Sequence, residues 1–213
     1  MSTERITKEN VADLFQSVAE EYAGKKEELC EMDAQMGDGD LGLTMAKGFG
    51  ALPGIIRDNL GEADLGRILF KAGMKMSGVV PSTMGTLMAS GLMSVGRALS
   101  GKQELDAKDL AAFLAAFAEG IHKRGKCEAG DRTIYDALLP AAESAGQAAD
   151  RGGSLADVID AACEGAEKGV EATKEMIPKY GKAAVFSAKA KGVRDQGAVA
   201  GLYLLEGMKK YLV

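Results

Sequence analysis

The chain has 213 residues and a formal net charge of −5, with 46% hydrophobic and 27% charged residues and 28 Gly against 4 Pro. That length suits one sizeable domain, read as residues 1–213 throughout. The acidic balance weighs mildly against a nucleic-acid partner, because phosphate backbones are met by clustered Lys and Arg. No apolar run reaches the roughly 20 residues of a membrane span, and the N-terminus lacks the apolar core of a signal peptide. Cys30, Cys127 and Cys163 are widely spaced with no CxxC pair, which suggests free thiols in a reducing compartment. The chain therefore reads as cytoplasmic.

Helical periodicity dominates, and no segment alternates convincingly as strand. Val11, Leu14, Phe15, Val18 and Tyr22 share one helix face. A second helix begins near Gly42 and carries Met45, Phe49 and Leu52 until Pro53 disturbs it. Asp64 caps a third, with Leu65, Ile68, Leu69, Ala72 and Met76 inward. Ser82 or Thr83 caps a fourth bearing Met84, Leu87, Met88, Leu92 and Val95. Asp106 caps a fifth with Leu110, Phe113, Leu114, Phe117 and Ile121. A sixth spans residues 133–149, and Ser154 caps a seventh with Leu155, Val158, Ile159, Ala162, Ala166 and Val170. The last runs from about Gly197 to Tyr211. The expectation is an all-α, single-domain barrel or bundle of about eight antiparallel helices, since short connections make neighbours antiparallel.

Two long stretches, 31–42 and 177–196, lack periodicity and are rich in Gly and charge, as functional loops often are. In the first, Asp33, Asp38 and Asp40 lie within eight residues among Gly37, Gly39 and Gly42. If the three carboxylates converge, a hard divalent cation offsets their repulsion. An EF-hand fails, because the twelfth position from Asp38 is Phe49 rather than Glu. A haloacid-dehalogenase-type loop fails for want of an apolar strand upstream. A solvated turn whose aspartates cap the following helix stays open. Residues 80–86 place Ser82 and Thr83 at a helix N-terminus, a phosphate cradle or a plain N-cap. Two basic loops follow, Arg124 to Thr133 and Gly181 to Gly197, the latter with Lys182, Lys189, Lys191 and Arg194. The first leads into a helix with Asp131 or Thr133 as cap, and the second suits a phosphate or nucleotide lid, or a solvated surface. The lone His122 reads as a surface or half-buried helical residue.

In order along the chain, LCEMDAQMGDGDLGLTMAKGF, PSTMGTLMASG, RGKCEAGDRTIYDALLPAAES and the GKAA…RDQGA tail resemble the L subunit of dihydroxyacetone kinases, the ADP-binding subunit. The resemblance covers essentially the whole chain and implies a barrel of eight antiparallel helices binding ADP or ATP beside two Mg²⁺ ions. It implies that Asp33, Asp38 and Asp40 hold the metals. Leu41, Gly42 and Thr44 would lie along the nucleotide, Ser82 and Thr83 would receive phosphate oxygens, and Gly125 and Ile134 would border the base. Lys182, Asp195 and Gly197 would close over it. The chain departs from the family at Leu41 and Thr44, where many members carry His and Asn, and at Lys182, where Arg is usual. Asp195-Gln196-Gly197 replaces an Asp-Pro-Gly turn, and the family's Gly-Gly-Ala-Ser-Gly run is shortened around Val79 to Thr83.

The resemblance further implies a phosphotransferase acting on a small ketose held by a separate K-type subunit. It allows a phosphohistidine carrier of the sugar phosphotransferase system as donor, and a second copy of the chain as a homodimer partner. Rival expectations are a non-catalytic co-regulator of the same fold and an acyl-phosphate-forming domain similar to that of fatty acid kinase.

Overall fold

The computed structural model describes residues 4–186 and 190–213; Lys189 of the second basic loop lies outside them. Nine α-helices occur among the described residues. They are α1 (Val11–Gly24), α2 (Lys26–Ala34), α3 (Leu41–Arg57), α4 (Leu65–Val79), α5 (Thr83–Ala98), α6 (Ala107–Gly125), α7 (Tyr135–Asp150), α8 (Leu155–Ala172) and α9 (Gln196–Leu212). Capping chemistry sets several starts. Asp64 accepts the Arg67 N–H at 2.8 Å and Ser82 the Gly85 N–H at 3.0 Å. Asp106 with Asp109, and Ser154 with Asp157, form capping boxes ahead of α6 and α8. Each such cap contributes roughly 1 kcal/mol.

Eight of the helices close a ring. α1 packs on α3, each helix from α3 to α8 packs on the next, and α8 packs on α9, which returns to α1. Facing residues show that neighbours run antiparallel. Gly66 meets Leu99 while Gly73 meets Ala89 across α4 and α5. Gly165 meets Pro140 while Gly169 meets Asp136 across α7 and α8. Gly207 lies on Val18, and the Tyr22 hydroxyl donates to the Ala200 carbonyl at 2.7 Å, across α9 and α1. One contiguous cluster of buried side chains extends from Ile6 to Leu212 and fills the ring. Glycine allows close crossings: a Cβ on Gly96 would lie 2.5 Å from the Phe70 nitrogen and 2.6 Å from the Gly66 carbonyl. Among the described residues, no helix is long and apolar enough to cross a membrane.

Two local expectations need correction. Residues 31–34 are helical, because α2 continues to Ala34 and leaves only residues 35–40 as the first loop. α2 lies outside the ring against α3 and α9 and buries only Leu29 and Asp33, so it has no apolar stripe to betray it. Pro53 does not end its helix; α3 runs on to Arg57. The roughly 3 kcal/mol cost of an interior proline is offset by packing on both sides of it, where Phe49, Leu52 and Ile56 are fully buried. β1 (Ile6–Thr7) and β2 (Glu104–Leu105) pair antiparallel, a ladder too short to show alternation.

Candidate functional site

The loop between α2 and α3 folds back on the end of α2 through the Asp33 side chain. Asp33 is buried, and its Oδ2 accepts the N–H groups of Gly39 at 2.9 Å and Asp40 at 3.1 Å. Gly39 makes the return with φ +76°, a conformation that favours glycine. This brings Asp33, Asp38 and Asp40 together, with one carboxylate oxygen of each within 4.8 Å of the others. Asp40 stands at the N-cap of α3, but its side chain makes no capping hydrogen bond. The donors are carboxylate oxygens only, which fits a hard divalent cation such as Mg²⁺. Lys182 reaches Asp38 Oδ2 at 2.8 Å. Its ammonium holds the Asp38 carboxyl below the usual carboxylate range, and Asp38 in turn raises Lys182.

A cavity of about 370 Å³ opens on this cluster. Asp33, Asp38, Asp40, Leu41 and Thr44 form one wall, and Ser82, Thr83 and Ile134 another. Lys182, Asp195 and Gly197 complete it. A second cavity of about 640 Å³ shares Ser82, Thr83, Leu87 and Ile134 with the first and continues past Gly125 and Cys127. The first turns of α3, α5 and α9 therefore all contribute to one basin, and the positive ends of their dipoles favour an anion there. Met84 and Leu87 are half-buried, packing against the core while lining the basin. Gly42 lines neither cavity. It faces α2, where a Cβ would overlap the Lys26 carbonyl, so close helix packing accounts for it.

The described residues 177–186 and 190–195 strap across this basin. The Tyr180 hydroxyl donates to the Lys126 carbonyl at 2.7 Å, and the Lys179 N–H donates to the Asp131 carbonyl at 3.2 Å. Ala183 and Ala190 bury themselves against Met36 of the acidic loop. Arg132 fastens the far end of the strap, and its role was not legible in the sequence. Its guanidinium is fully buried and donates to the Val193 carbonyl at 2.9 Å and the Thr173 carbonyl at 3.3 Å, and it meets Asp195 at 3.4 Å. Its backbone is left-handed, φ +60°, unusual for arginine. Asp195 caps α9 by accepting the Ala198 N–H at 2.8 Å. Burial pushes the Asp195 carboxyl up to about 6, outweighing that hydrogen bond and the nearby Arg132 charge.

Elsewhere, a groove of about 700 Å³ lies between α1, α8 and α9, and no residue expected to bind metal or nucleotide lines it. Its lysines are committed to carboxylates: Lys25 to Glu28, Lys209 to Asp160 and Lys210 to Glu21. His122 is half-buried between Glu119 and Glu128 and stacks on Tyr135.

A ring of antiparallel helices with an acidic cluster at the mouth of a hydroxyl-lined basin defines a helical barrel with one candidate site for a cation and an anion. The chain belongs to the DAK2 domain family, whose profile matches residues 35–210. It is 29% identical over 189 residues to the PEP-dependent dihydroxyacetone kinase, ADP-binding subunit DhaL, of Escherichia coli, covering 87% of this chain and 88% of that one. It is 31% identical over 191 residues to the D-erythrulose kinase of Mycolicibacterium smegmatis, covering 89% of this chain but only 33% of that enzyme. Among solved structures, the dihydroxyacetone kinase of C. freundii superposes with a TM-score of 0.72 at 21% identity, over 99% of this chain and 36% of that one. The same enzyme in complex with AMP-PNP and Mg²⁺ superposes at 0.70 with 24% identity, over 94% of this chain and 33% of that one. At such identities these superpositions speak for the fold.

Proposed function

We infer that this chain is the nucleotide- and Mg²⁺-binding subunit of a small-ketose kinase, acting with a separate K-type subunit that holds the ketose. The observation that carries the reading is the meeting of three carboxylates within 4.8 Å beside a basin walled by helix N-termini. Relatives named as dihydroxyacetone and erythrulose kinases support the substrate class, and a neighbour solved with AMP-PNP and Mg²⁺ supports the ligand pair.

Phosphoryl transfer needs positioning and charge neutralisation more than covalent help from the protein. Asp33 is fixed by two loop amides, and with Asp38 and Asp40 it would hold Mg²⁺, two ions in this reading. Bound Mg²⁺ supplies neutralisation of the phosphate charge as the phosphoryl group moves. Ser82 and Thr83, at the start of α5, receive phosphate oxygens, and Lys182 adds a cation from the strap. Leu87, Gly125 and Ile134 offer an apolar slot for the base in the larger cavity. Leu41 and Thr44 flank the phosphates, and Asp195 and Gly197 set the first turn of α9 beside them.

ADP with Mg²⁺ should raise the melting temperature, because a ligand of the native state stabilises by about 2.7 kcal/mol at a hundred times its Kd. Asp38→Ala and Asp40→Ala should abolish that shift and the kinase activity reconstituted with a K-type subunit, while helix content stays intact. An unaltered shift in both variants refutes the metal assignment. No shift in the wild type at millimolar ADP favours the non-catalytic module instead. The E. coli relative is named PEP-dependent, which supports donation through a phosphohistidine carrier with the nucleotide retained as a shuttle. ADP that stays with the protein through gel filtration supports that mode, and ADP that leaves excludes it. The same run reports whether two copies associate as a homodimer.

A further inference from the structure

Gln196 joins the strap to the metal-binding loop. Its amide nitrogen lies 3.3 Å from Asp33 Oδ1, and only the NH₂ end of an amide can donate to a carboxylate, so the orientation of the side chain is set by chemistry. Asp33 thus has both oxygens engaged: Oδ2 by the amides of the loop, Oδ1 by a residue 163 positions away. A carboxylate oxygen accepts along two directions, so Oδ1 keeps one for a cation. The other end of the Gln196 amide, Oε1, is buried and has no hydrogen-bond partner among the described residues. Gln196 also lines the cavity on which the acidic cluster opens.

We propose that Gln196 is a positioning residue for the metal site: it orients Asp33 toward the cation and offers its buried carbonyl to the hydration shell of that cation or to a hydroxyl of the nucleotide. The proposal rests on the reading of Asp33, Asp38 and Asp40 as metal ligands. Partners that orient a ligand from outside the coordination sphere typically govern metal affinity by 10- to 100-fold. The coupling is long-range, because Gln196 is the first residue of α9 and its backbone is fixed by the Asp195 cap and, through it, by Arg132.

Two substitutions remove the amide without disturbing the helix. Gln196→Met keeps length and removes both polar atoms. Gln196→Pro is compatible with the first position of a helix, where the missing N–H is not needed, and with the extended backbone of Asp195 before it, φ −71° and ψ 126°. The readout is the Mg²⁺ concentration that gives half the ADP-dependent rise in melting temperature, with Asp40→Asn run alongside. The expected result is an unchanged melting temperature without ligand and a half-saturation raised roughly tenfold or more in both variants, with no Mg²⁺ response in Asp40→Asn. Wild-type half-saturation in either folded variant, with Asp40→Asn unresponsive, overturns the role of Gln196 and leaves the metal site standing. A full Mg²⁺ response in Asp40→Asn overturns the metal site itself.

Discussion

Replacing Arg132 with Met should destabilise the protein strongly at about pH 8 and much less at about pH 5. The guanidinium is wholly buried, and the Asp195 side chain facing it at 3.4 Å is only 6% exposed. Removing one member of a buried pair costs roughly 3–5 kcal/mol, because the remaining charge is stranded. Asp195 is already pushed up to about 6 by burial, above its ordinary 3.8. A carboxyl whose folded value is raised contributes stability that is complete below about 3.8 and is lost as the pH climbs through 6. Without Arg132 the folded value climbs further, by about 1.4 kcal/mol for each unit. At about pH 5 the Asp195 of the variant holds its proton, so little beyond the unpaired carbonyls of Thr173 and Val193 remains, roughly 1–3 kcal/mol.

The expected gap between the two pH values is therefore about 2 kcal/mol, read from urea unfolding of both proteins by circular dichroism without nucleotide or Mg²⁺. Arg132→Gly adds an internal control. It strands the same charge but relieves the left-handed backbone at φ +60°, so it should be about 1 kcal/mol less destabilised than Arg132→Met. Equal losses at both pH values would refute the coupling of Arg132 to a charged Asp195.

Gly42→Ala places a methyl group into the Lys26 carbonyl and should cost about 1–3 kcal/mol in urea titration, with Mg²⁺·ADP binding retained by the folded fraction. Lys182→Met should leave the melting temperature unchanged, since Lys182 and Asp38 are 59% and 57% exposed and such pairs contribute little to stability. Turnover with a K-type subunit should nevertheless fall on the order of a hundredfold, and Lys182→Arg should recover it. Burial pushes the Cys163 thiol up to about 12. Iodoacetamide at mildly alkaline pH should therefore leave Cys163 unmodified in the native protein and modify it in urea, as followed by peptide mass spectrometry.

Most of the barrel was legible because a ring of amphipathic helices writes its core as a repeating stripe. Phe15, Phe49, Leu69, Phe117 and Ile159, each assigned to a helix face by spacing alone, are all buried. α2 was not, because a helix clamped between α3 and α9 by its ends and by Gly42 needs no stripe of its own. Pro53 misled for a related reason. Propensity is local, whereas the side chains that hold α3 straight through the proline arrive from other helices.

The site divides in the same way. Three aspartates within eight residues announce themselves, since so dense a cluster asks for a counter-charge wherever the chain runs. The residues that hold the cluster open to a ligand do not, because their meaning is tertiary. Arg132 sits among basic neighbours that could all face solvent, and only the fold reveals that it is buried against Val193, Thr173 and Asp195. Gln196 looked like the loss of a turn proline, yet its amide reaches an aspartate 163 residues earlier. That hydrogen bond spans so much sequence because the chain must return to the first loop to cover the basin. Local motifs thus report the ligands of such a site, and the strap that returns to them sets their orientation.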